Sequence, residues 1–184
     1  TSPDTFVSLP QEWMTWTTWL ADQVAGCVFN AANQAIPVKV GTALGSFDNW
    51  TVNRQYPEKP VDTELGVMRI DDDEGHPIAQ VINFACHGTA DGGQYLEWSG
   101  DFAGEMSAEI ENQIPGSVAI YLQGAAGDIH PFDWWFGNNA SEHLHSHEDT
   151  ALLGRSLGEA VLKLINGITV GENVRLGVVA TSAT

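Results

Sequence analysis

Hydrophobic and polar positions change period several times along this chain, and each change marks an element. From Leu9 onward Trp13, Trp16, Leu20, Val24, Cys27 and Val28 recur at three- to four-residue spacing. Pro10 in the first turn and Glu12 at the positive end complete a helix signal over 10–32, with its tryptophans placed in a core. A period-two run predicts a strand over 37–44, and Gly45 to Trp50 reads as a loop. Glu64 to Asp71 and Pro77 to Cys86 read as a hairpin closed by Asp71-Asp72-Asp73-Glu74-Gly75-His76. That acidic turn is a solvated one in which His76 is inert, because a calcium loop needs alternating ligands over a longer span. Helices follow over 101–113, with Asp101 as cap, and over 149–166, capped by Asp149 and ended by Gly167. Val118 to Leu122 and 173–181 are further strand runs, the second with its partner expected outside the chain.

Strand, helix, strand from Ile78 to Leu122 is the order of a parallel crossover unit. The fold class predicted is mixed α/β: a largely parallel sheet flanked by the helices at 10–32, 101–113 and 149–166. In such sheets ligands gather beyond the carboxyl ends of the strands. There the first strand breaks into His87-Gly88-Thr89 and the second into Gln123-Gly-Ala-Ala-Gly-Asp128-Ile-His130-Pro131. His87, Asp101, Asp128 and His130 are therefore placed to share one cleft.

Charge narrows the partners. The chain has 184 residues, one domain's length, with 7 basic against 24 acidic residues and a net charge of −17. Such a surface repels phosphate backbones and anionic bilayers, which argues against nucleic acid as a partner. No apolar run approaches the roughly 18 residues a membrane span needs. Cys27 and Cys86 fit no metal spacing; they pair if the compartment is oxidising or stay as separate buried thiols. Asn49-Trp-Thr51 and Asn139-Ala-Ser141 are glycosylation sequons, relevant to a secreted protein. His143, His145 and His147 alternate: in a strand they would face one side, where imidazoles can bind Zn or Cu, and in a loop the same pattern is an ordered polar surface.

The ordered set NFACHGT, SGDFAGE and LQGAAGDIHP resembles the neutral (non-lysosomal) ceramidase family, zinc-dependent hydrolases that cleave the amide of N-acyl-sphingosine. Val52-Asn53-Arg54 looks like that family's Asn-Arg element, and Val61 to Asp71 like one of its strands; the similarity runs from about Trp50 to Gly167. The resemblance implies zinc as cofactor, His87 as a ligand, Arg54 on the oxyanion and Asp101 as a supporting carboxylate. Thr1-Ser-Pro-Asp-Thr5 resembles the tail of the family's first metal-binding segment. Its His is then expected upstream, and a Glu and a Tyr ligand downstream. The chain is read as a single-domain portion, 1–184, of a larger catalytic domain, completed by the rest of the polypeptide or a companion chain.

One departure strikes the chemistry. Where the family's turn reads Gly-Asp/Asn-x-Ser-Pro, with Ser as nucleophile, this chain has His130. Imidazole serves as base, acid or ligand, but cannot form the family's acyl-oxygen intermediate. The expectation is a secreted, extracellular or periplasmic zinc hydrolase that cleaves an N-acyl bond of a small or lipid amide by metal-activated water. His130 is its base or second ligand, and Asp128 and Arg54 support it. The alternative is a non-catalytic extracellular structural or binding protein that keeps the scaffold.

Overall fold

The computed structural model describes residues 11–91, 95–131, 146–172, 174–175 and 177–180, and the chain divides into two units, 1–37 and 38–184. The first unit holds one helix, α1 (Gln11–Asn33). Thr15, Thr17 and Thr18 bond their hydroxyls back to carbonyls of the preceding turn. No residue of α1 is buried, and Trp13, Trp16 and Trp19 are all more than half exposed. The expected tryptophan core is not what the described residues show: helical spacing creates an apolar stripe, but burial needs a second surface, and the described residues of this unit supply none.

In the second unit the sheet is dictated by its connections. β3 (Glu64–Asp71) and β4 (Pro77–Phe84) are joined by a short turn that only antiparallel strands can use. Asp72 closes this turn, its Oδ1 accepting from the Glu74 and His76 amides, with Gly75 at φ 89°. These hydrogen bonds, that of His76 first, hold the exposed Asp72 carboxyl below its ordinary range. β1 (Lys39–Ser46) pairs antiparallel with β3 along its whole length. Between β4 and β5 (Val118–Gln123) lies α2 (Asp101–Gln113), long enough to carry the chain back, and these strands pair in parallel as the crossover predicts. The order is β1-β3-β4-β5, so the class is mixed α/β as expected, but only one of its pairings is parallel. The expected strand over 173–181 is not one among its described residues. Only an isolated bridge, Val40 to Gly171, flanks β1 there.

Two helices cover one face of this sheet. α2 turns Phe102, Met106 and Ile110 inward at four-residue spacing, and α3 (His147–Ile165) adds Leu153, Leu157, Val161 and Ile165. These close on Leu65, Val67, Ile82, Phe84 and Ala119 from the strands. Gly154 and Gly158 let the two helices touch backbone to backbone. A Cβ at Gly154 would lie 2.6 Å from the Phe102 carbonyl oxygen and 2.4 Å from Glu105 Cβ. α3 begins two residues earlier than expected. Ser146, not Asp149, is its N-cap, its Oγ accepting from the Asp149 amide at 3.1 Å.

The starts of both helices meet at a buried carboxylate, Asp91. Its oxygens accept from Ser99 Oγ and, at 2.8 Å, from His147 Nδ1, while its amide donates to Asp101 Oδ2 at 3.1 Å. Burial alone would raise the Asp91 pKa. Hydrogen bonds from Ser99, His147 and Thr150 outweigh it and hold the carboxyl below its ordinary range.

Two outcomes follow from this packing. Gly154→Ala is expected to destabilise by about 1–3 kcal/mol through overpacking, whereas Gly104→Ala on α2, whose Cβ meets open space, is neutral or stabilising by up to about 1 kcal/mol. Urea unfolding of the two variants checks this. Because the folded Asp91 pKa lies below its unfolded value near ~3.9, its contribution is full above that pH and fades as pH falls through the folded value. The thermal midpoint of the wild type is therefore expected to fall more steeply between about pH 5 and pH 3 than that of Asp91→Asn.

Candidate functional site

A second, two-stranded sheet builds the site. β2 (Thr51–Asn53) pairs antiparallel with β6 (Ile129–Pro131), putting Val52 opposite His130 and Asn53 opposite Ile129. The turn leading into β6 runs over the end of β4: the Gly124 amide donates to the Phe84 carbonyl at 2.9 Å. A Cβ at Gly124 would meet the Ala85 backbone at 3.0 Å, so the approach requires glycine there. The two motifs that follow strand ends in the sequence are thereby laid side by side.

Polar contacts fix the corner. Asn53 Nδ2 donates to Asp128 Oδ2 at 2.7 Å, and Asn53 Oδ1 accepts from the amides of Gln55 and Tyr56 at 3.0 and 2.9 Å. The Arg54 amide donates to the Asp128 carbonyl at 2.8 Å. Asp128 thus acts on the shape of the corner, through a partner, Asn53, whose side-chain role no spacing in the sequence signals. The Arg54 guanidinium donates through Nη2 to the Gly127 carbonyl at 2.7 Å and through Nη1 to His130 Nε2 at 2.9 Å. Guanidinium only donates, so His130 Nε2 is the acceptor in this contact. The fork has five N–H donors, and the remaining ones leave it able to bind an oxyanion as well.

His87 lies beside this pair, its ring centroid 5.1 Å from that of His130. Its amide donates to the Ile129 carbonyl at 3.0 Å, and its Nδ1–H donates to the Ala126 carbonyl. That bond selects the tautomer with a lone pair on Nε2, the arrangement a metal-ligating imidazole uses. The residues present therefore fit a zinc ion in part. His87 is oriented as a ligand, and His130 is near enough to join but already engaged by Arg54. Among the described residues no cluster of three or more His, Cys, Asp or Glu side chains converges.

Asp101 stands behind this group. It is not the cap, since Gly100 precedes the helix without a side-chain cap bond. Asp101 has φ 52°, in the left-handed region that Asp enters more readily than most residues. Its Oδ1 accepts from the Phe102 amide at 2.7 Å and its Oδ2 from the Asp91 amide. A Cβ on Gly88, next to His87, would lie 3.9 Å from the Asp101 Cβ. Burial, then the nearby Asp101, pushes the Cys86 thiol up, which makes it an inert group under the site. Cys27 and Cys86 are both free.

His147 does not alternate along a strand. It opens α3, bonds Asp91 and lies with its ring 4.0 Å from Tyr95; His143 and His145 fall outside the described residues, as does Asn139. The Asp91–Ser99–His147 contacts were invisible in the sequence, where Asp91 reads as one more loop acid. Among the described residues no helix is long and apolar enough to cross a membrane.

No family model matches the chain, and no curated protein does. Solved structures do. The neutral ceramidase from Pseudomonas aeruginosa is similar with a TM-score of 0.63 at 19% identity, over 76% of this chain and 24% of that one. A ceramidase complexed with C2 is similar with a TM-score of 0.61 at 19% identity, over 71% of this chain and 22% of that one. The chain spans about a quarter of the ceramidase chains it matches, and over that span it has a ceramidase-like fold.

Proposed function

We propose that this chain carries one part of a zinc-dependent hydrolase site that cleaves an N-acyl amide of a small or lipid substrate. The observation that supports it most is the joining of Arg54 to His130 at 2.9 Å, beside a His87 ring fixed with Nε2 as its acceptor. Zinc would be held by His87 together with ligands beyond the described residues, leaving His130 as the base, and when bound would acidify a water towards neutrality. Secretion to an extracellular or periplasmic space belongs to the same reading.

The chain's own residues divide the remaining work. The attacking water forms a bond to the substrate's carbonyl carbon and yields its proton to His130 Nε2 as Arg54 turns its fork onto the developing oxyanion. His130 then passes that proton to the amide nitrogen, the C–N bond breaks, and an amine and a carboxylic acid leave, the acid then giving its proton to solvent or the amine. Asp128 and Asn53 keep Arg54, which follows β2, beside His130 on β6, so the fork and the ring move against a fixed corner. Asp101 accepts from the Asp91 amide, at the far end of the segment that carries His87. His130 in place of a hydroxyl means that no acyl-oxygen intermediate forms at this position, and its ring nitrogen serves here to relay a proton.

The test uses the complete protein and a fluorogenic N-acyl amide. About one zinc per site is expected by elemental analysis, lost in His87→Ala together with hydrolysis. Arg54→Ala is expected to lower kcat about 10²–10³-fold, and His130→Ala about 10²–10⁴-fold, with no acyl-enzyme trapped in either wild type or variants. A complete protein that binds no zinc and cleaves no amide overturns the proposal.

A further inference from the structure

We propose that Asp91 and His147 are a positioning pair for His87, an inference that rests on the reading of His87 as a metal ligand. His87 sits on the segment 86–91 that leaves β4. At its near end the segment is held by the bond from the His87 amide to Ile129 and from the ring to Ala126. At its far end Ala90 is fully buried and Asp91 is 8% exposed. Asp91 joins this end to the start of α2 through Ser99 and Asp101, and to the start of α3 through His147 Nδ1 at 2.8 Å. The segment that carries His87 is thus tied at its far end through both the amide and the carboxylate of Asp91.

Holding the helices together does not require this arrangement. α2 and α3 already meet through Gly154 and Gly158 and a shared apolar core. A carboxylate taken out of water costs several kcal/mol unless its partners are well placed, and here one partner comes from 56 positions away. What the carboxylate adds over a hydrophobic residue is direction. Its acceptor lone pairs fix the segment relative to two helix starts, and a catalytic imidazole needs placement within about 0.5 Å. His147 keeps its side chain 56% exposed, so it contributes little to the core. Its ring lies 4.0 Å from Tyr95, which orients it for the bond to Asp91.

Nitrogen-15 NMR of the imidazole rings in zinc-free protein, with zinc titration beside it, tests the pair. In the wild type and in His147→Gln, which keeps a donor for Asp91, His87 is expected in the single tautomer with its proton on Nδ1. In Asp91→Asn and His147→Phe the two tautomers are expected to mix, with zinc affinity about 10–100-fold weaker. A purely structural role would lower the unfolding midpoint and leave the His87 tautomer of the folded protein unchanged, and that result overturns the inference. If Asp91→Asn does not fold, His147→Phe at the more exposed position decides. If wild-type protein binds no zinc, the hydrolase reading fails, while the tautomer comparison still decides the pair.

Discussion

The site depends on the pairing of three residues with three, β2 against β6, across 75 positions of sequence between Asn53 and Asp128. So short a ladder is weak by itself, and side chains reinforce it. Asn53 bonds Asp128 while its side-chain Oδ1 accepts from the Gln55 and Tyr56 amides, and Arg54 repeats the link through its own amide and its guanidinium. The turn before β6 can lie on the end of β4 because Gly124 has no side chain to strike Ala85. Remove that approach and His87 and His130 no longer share one place.

Around this corner the molecule separates adhesion from direction. Adhesion comes from apolar residues: Phe102, Met106, Ile110, Leu153, Leu157 and Val161 close over Leu65, Ile82 and Phe84. Direction comes from a few buried or half-buried polar groups. Asp91 and Asp101 tie the starts of α2 and α3 to the segment after β4, and Asp101 accepts a left-handed backbone in doing so. Strained backbone and buried carboxylates are costly in a core and recur where geometry must be held for chemistry.

The ceramidase-like fold extends over about a quarter of the matched structures, and at such low identity the likeness concerns the fold. The individual chemistry lies in His130. Its Nε2 accepts from the Arg54 guanidinium at 2.9 Å, which places an imidazole and a guanidinium side by side at this turn.

Local pattern was enough to read β3, β4, α2, β5 and the parallel crossover between the last two strands, since period and turn chemistry act over a few residues. It also placed His87, Asp128 and His130 beyond strand ends, while Arg54 was singled out by resemblance; the structure brings the four to one corner. Local pattern could not decide what lies opposite what. The tryptophans of α1 have helical spacing yet no buried position, because a stripe states which face is apolar and not what covers it. The cap of α3 moved from Asp149 to Ser146, since either residue suits a cap and only the backbone path selects one. Asn53 with Asp128, and His147 with Asp91, are contacts between distant segments. Only the closed fold brings these groups within 3 Å, because a hydrogen bond depends on distance and angle in space and leaves no period in the chain that makes it.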